Sequence, residues 1–181
     1  MNYYNYISDY LSIPIDIIKK SGRLLSIENW PDYFTRQFDF LNDNSLSDVV
    51  LFSIPNKDFA FKGKNRTSEA HYKQKLILCN YEYIDRGDDP NASFIHNLAH
   101  IQQYQQIGED LFNKYQSEKV FKDIDCIYPN NKVELYAFSI ELKYLKSMGV
   151  SGEFFMKFMS RYSNDANRED FFKRIIRDIY K

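Results

Sequence analysis

Two of the three histidines in the 181-residue chain stand four residues apart, in Ser93-Phe94-Ile95-His96-Asn97-Leu98-Ala99-His100-Ile101-Gln102-Gln103. On an α-helix that spacing brings His96 and His100 to one face, about one turn apart. Two imidazoles so placed can grip a tetrahedral zinc ion through nitrogens at ~2.0–2.1 Å. Three histidines scattered at random would put some pair four apart in only ~3% of arrangements, yet a lone HxxxH is a short motif. The polar stripe continues forward to Gln103 and back to Ser93, while Phe94, Leu98 and Ile101 point elsewhere, towards a core. A carboxylate that could complete the set lies in Asn131-Lys132-Val133-Glu134-Leu135-Tyr136-Ala137-Phe138, where Glu134 falls in the first turn of a candidate helix. Two histidines and one glutamate leave a fourth position open, as catalytic zinc sites do. Each residue also has a plainer reading. The histidines can bond to neighbouring side chains, and Glu134, three residues after the cap Asn131, completes a variant of the capping box or answers the helix dipole.

The elements that must position these residues follow from periodicity and punctuation. Residues 12–20 read as a short helix opened by Ser12 and Pro14, and a second helix starts at Pro31 with Phe34, Phe38 and Leu41 in one stripe. Residues 48–54 and 59–64 read as two strands of a hairpin around Pro55-Asn56-Lys57, and 75–84 as a third strand. Helices follow: about 90–107 (Asp89 as cap, Pro90 first, Gly108 as stop), 110–122, 132–148, 152–162 and 167–180. Helices, a small antiparallel-type sheet and helices again make a mostly helical α+β fold, not alternating βαβ units. The length suits one domain, with N-terminal helices over 1–47, the sheet over 48–84, the motif-bearing helices over 88–148 and C-terminal helices over 149–181.

Composition narrows the function classes. With 24 basic against 25 acidic residues there is no surplus for nucleic acid or an anionic membrane surface. No window reaches the ~18 apolar residues of a membrane span. Met1–Tyr6 lacks the basic and apolar regions of a signal peptide, which leads to the expectation of a cytoplasmic or intracellularly assembled protein. Cys79 and Cys126 have no CxxC spacing and read as reduced, buried thiols. His71, in the polar run Thr67-Ser68-Glu69-Ala70-His71, reads as an exposed loop residue. The C-terminal Phe171, Phe172, Ile175, Ile176 and Ile179 form a stripe suited to core packing.

Taken together, the His96–His100 helix, its trailing glutamines and Glu134 in NKVELYAF, 34 residues after His100, resemble the zincin-like metallopeptidases of the gluzincin type. The resemblance covers roughly residues 75–148. It implies a zincin-like helical core, zinc as the ion, His96, His100 and Glu134 as its ligands, and Gln103 as a supporting residue behind them. It further implies that the 75–84 strand is the sheet edge that takes up extended peptide. The family places its general base immediately after the first histidine, and this chain has Asn97 there. A neutral amide cannot accept the proton that hydrolysis must move. Glu141, two turns beyond Glu134, is the nearby substitute, and its plain reading is a solvated surface charge. The leading expectation is therefore a zincin-like protein without catalysis, holding zinc and serving as a binding or structural module for a protein or peptide partner. The rivals are an active zinc peptidase using Glu141 and a structural component of a viral particle or other assembly.

Overall fold

The computed structural model describes residues 1–55, 68–80, 92–160 and 165–181. The chain divides into two compact units, Met1–Asn97 and Leu98–Lys181. Among the described residues the fold is α+β: mostly helix, with one small sheet. The expected strand over 59–64, the cap at Asp89 and the helix start at Pro90 lie outside the described residues.

The first unit begins with α1 (Tyr3–Leu11), which the composition of the N-terminus did not announce. Asn2 caps it by accepting from the backbone of Tyr4 and Asn5, and Ser12 ends it in the left-handed region at φ 58°. Next come α2 (Ile15–Ser21), β1 (Arg23–Leu25), α3 (Asp32–Leu41, preceded by Pro31), β2 (Val50–Ile54), β3 (Ser68–His71) and β4 (Leu76–Asn80). The strands lie in the order β1-β2-β4-β3. β2 and β4 are parallel and the outer pairs antiparallel, so the sheet is mixed rather than antiparallel throughout. β4, the described part of the strand read from 75–84, is flanked by β2 and β3, and 81–84 lie outside the described residues. Among the described residues the edge on that side is β3, which corrects the expected peptide-binding edge.

Register assigns each side chain to a face, because directly paired residues share one side of the sheet. Val50, Phe52 and Ile54 pair with Leu76, Leu78 and Asn80, and Glu69 and His71 pair with Leu78 and Leu76. On this face Ile7 of α1 and Ile18 of α2 close a core with Phe52, Ile54, Leu76 and Leu78. Ser68 pairs with Cys79 and Ala70 with Ile77, so these residues face the other way, towards the start of the next helix. Burial among the apolar side chains of that second face pushes the Cys79 thiol far above its usual range, with a smaller opposing effect from the Ser53 hydroxyl. Cys79 is a buried free thiol, as expected, whereas Cys126 is only half-buried.

Gly22, which ends α2, is a packing glycine. A Cβ there would overlap the Phe52 ring and sit 2.7 Å from the Ile18 carbonyl oxygen. Phe52 is fully buried, with Tyr4 edge-on at 5.4 Å, and has no room to retreat. Gly22→Ala is expected to cost about 2 kcal/mol by overpacking. Thermal denaturation should register it as a Tm roughly 4–8 °C lower.

Helix α4 (Ser93–Ser117) begins in the first unit and continues into the second; Gly108, at φ 76° and ψ 168°, interrupts it. The second half stops at Ser117, short of the expected Lys122, and 118–131 is irregular apart from a bridge between Lys119 and Asn131. The second unit continues with α5 (Lys132–Ser147), α6 (Gly152–Ser160) and α7 (Ala166–Ile179). Phe138 of α5 meets Phe172 of α7 edge-on at 4.8 Å, and Phe155 of α6 meets Phe172 at 6.0 Å. Phe171, Phe172, Ile175 and Ile176 are buried as the stripe required, and Ile179 is half-buried.

Candidate metal centre

The apolar face of α4 fixes which way its polar stripe points. Phe94, Ile95, Leu98 and Ile101 are buried, Phe94 stacking on Phe34 at 4.0 Å. The Ile95 amide donates to Gln37 Oε1 at 2.8 Å. With those sides committed, His96, His100 and Gln103 share the remaining stripe. His100 and Gln103 are buried and His96 is half-buried.

Helix α5 supplies the carboxylate. Asn131 Oδ1 accepts from the Glu134 amide at 2.9 Å, the capping contact expected from the sequence, and this sets the first turn that bears Glu134. One ligand atom each from His96, His100 and Glu134 lies within 4.8 Å of the others. His100 Nε2 and Glu134 Oε1 are 3.7 Å apart. A charge-assisted hydrogen bond would place them at ~2.7–2.9 Å. Two ligands at ~2.0–2.1 Å from one tetrahedral ion stand ~3.3 Å apart by trigonometry. The observed separation is too long for the bond and within a small closure of the ligand spacing. The donor set also suits the ion, since two imidazoles and a carboxylate are ordinary zinc ligands. When bound there, zinc would supply a Lewis-acidic charge.

Asn97, the residue that follows His96, is buried. Its Nδ2 donates to Ser68 Oγ on β3 at 2.6 Å, and that hydroxyl lies 3.5 Å from the Ser93 hydroxyl. The amide ties the start of α4 to the edge strand; it has no capacity to take a proton. Glu141 is 6% exposed, which corrects the reading of a solvated surface charge. It occupies the buried stripe of α5 with Ala137, Phe138, Leu142 and Leu145, yet it is not among the three groups within 4.8 Å of one another.

His71 is also corrected. It ends strand β3, is buried, and hydrogen-bonds through Nδ1 to the Tyr6 hydroxyl at 2.8 Å, with the Tyr10 ring edge-on at 4.6 Å. Tyr10 donates to Glu69 beside it at 2.7 Å. Burial, and secondarily the Glu69 charge, hold the Tyr6 phenol above its usual range. This cluster fastens α1 to β3 on the sheet face opposite Ser68.

One supporting residue escaped the sequence reading. Asn130 is fully buried, and its side chain accepts from the Phe121 amide at 2.9 Å and donates to the carbonyls of Phe121 at 2.8 Å and Ile124 at 3.2 Å. It folds the irregular segment onto the start of α5, immediately before the cap of the Glu134 helix. The available signal is the Asn130-Asn131 pair, of which Asn131 alone reads as a cap.

No protein-family model matches the chain, and no solved structure matches it. It is similar to "Mediator of RNA polymerase II transcription subunit 17" of Saccharomyces cerevisiae, at 28% identity over 172 residues. That alignment covers 90% of this chain and 23% of the yeast protein, so the chain spans about a quarter of the relative's length. Among the described residues, no helix is long and apolar enough to cross a membrane.

Proposed function

We propose that this chain is a zincin-like, metal-holding binding module that does not hydrolyse peptides. His96, His100 and Glu134 hold a zinc ion, and the amide of Asn97 replaces the base. The observation that carries this reading is the convergence of the three ligand atoms within 4.8 Å, with His100 and Glu134 at ligand spacing. The Asn97–Ser68 hydrogen bond supports the absence of hydrolysis, because the group at the base position is neutral and engaged elsewhere. The module's ligand is a protein or peptide partner. Likeness to a protein named as a subunit supports a protein partner rather than a small molecule.

A second reading, a zinc peptidase with Glu141 as base, is favoured by one observation: Glu141 is buried, so it is not a surface charge. Incubating the zinc-loaded chain with an unstructured peptide separates the two. The binding-module reading expects no cleavage above the background of the His100→Ala variant. Chelator-sensitive cleavage that disappears in both His100→Ala and Glu141→Gln would establish the peptidase and overturn it.

A further inference from the structure

We infer that the side-chain oxygen of Gln103 is the fourth protein ligand of the His96, His100 and Glu134 centre, which makes it a closed, structural metal site rather than an open, catalytic one. The inference rests on the metal reading above and goes beyond it, since that reading leaves the fourth position to solvent or substrate.

Gln103 follows His100 by three residues and His96 by seven. At 3.6 residues per turn the latter spacing returns to within ~20° of the same azimuth, so all three side chains leave α4 in one direction. Residues three apart have Cβ atoms ~5–6 Å from each other, within reach of a glutamine side chain. Helical side chains lean towards the N-terminus, which carries the Gln103 amide back over the turn that holds His100. The decisive observation is chemical. Gln103 is 7% exposed, and its Oε1 is buried with no hydrogen-bond partner among the described residues. Gln102, equally buried, shows the ordinary alternative: its Oε1 accepts from the Tyr136 hydroxyl at 2.7 Å. A buried amide oxygen without a donor is a standing cost to the fold. A cation satisfies it as well as a donor would, since the oxygen offers a lone pair and needs no proton. Protein zinc sites with four protein ligands are structural, and those with three keep a position for reaction. A closed set therefore accords with the amide at Asn97, where a base would have nothing to activate.

Cobalt(II), whose visible spectrum reports coordination, tests the assignment on the full chain. The parent is expected to bind one equivalent with the spectrum of a four-coordinate ion, unchanged by azide or thiocyanate and unchanged between about pH 6 and pH 9. Gln103→Leu should bind cobalt about 10-fold or more weakly, and its spectrum should now respond to azide. Gln103→Glu, which keeps an oxygen at that place, should retain tight binding and the closed spectrum. In the absence of metal the sign reverses: Gln103→Leu should melt higher than the parent, because it removes the buried oxygen without a donor, and this also shows that the variant folds. A parent spectrum that azide or pH already shifts, or a Gln103→Leu variant with parental affinity and spectrum, overturns the fourth-ligand assignment and leaves the three-residue centre standing. A parent that takes up neither cobalt nor zinc overturns the centre itself, and this inference with it.

Discussion

Asn97→Glu combined with Gln103→Leu, which reopens the fourth position, is expected to create zinc-dependent peptide hydrolysis where the parent has none. The first substitution places a carboxylate immediately after the first histidine on α4, supplying the proton acceptor that the amide lacks. A positioned general base contributes about 10²–10⁴ in rate, and a rate roughly 10² above that of Gln103→Leu alone is the expectation here. Asn97 is 8% exposed and its present partner is the Ser68 hydroxyl, which donates to a carboxylate as readily as it accepts from an amide. The tether between α4 and β3 is therefore compatible with the change. Cleavage of an unstructured peptide, followed with and without chelator, measures it. His100→Ala in the same background should return the rate to zero. Asn97→Glu alone, with Gln103 still closing the centre, should show little or no gain. A folded, zinc-loaded variant pair with no activity would contradict the zincin-like reading of this site.

The second large effect is on stability. Asn130→Ala removes a side chain that satisfies one backbone N–H and two carbonyls in the segment leading to α5. A buried polar group left without its partner costs ~1–3 kcal/mol, and with some relaxation the total should be about 3 kcal/mol. For a chain of this length that lowers Tm by roughly 6–12 °C. The same change loosens the turn that presents Asn131 and Glu134, so zinc affinity should fall about 10–100-fold, as it does when the support behind a ligand is removed. Equilibrium denaturation and a zinc titration read the two effects separately. Arg174, which pairs with Asp123 and lies over the Phe121 ring at 4.7 Å, holds the same segment from α7. As an exposed ion pair it should contribute little, and Arg174→Ala serves as the mild comparison.

The features legible in the sequence were those that local spacing determines. The HxxxH interval fixes one helix face whatever surrounds it, and Asn131 before an apolar run fixes where α5 begins. What escaped depends on distant partners. Strand β3 reads Ser-Glu-Ala-His, too polar to suggest a strand, because the groups that satisfy Glu69 and His71 are tyrosines on α1 some sixty residues earlier. β1 has three residues and no periodicity to detect. That β4 lies inside the sheet follows from its parallel pairing with β2, which no local pattern encodes. Glu141 reads as a surface charge by type. Its place in the register of Phe138, Leu142 and Leu145 carried the opposite message, and the structure follows the register.

The central claim is that His96, His100 and Glu134 form a metal centre, and zinc stoichiometry of the chain purified without chelator tests it most directly. One zinc per chain, removed by chelation with a fall in Tm and absent from His100→Ala, is the result expected. A parent chain that carries no zinc, gains none on titration and melts at the same temperature with and without chelator would contradict it.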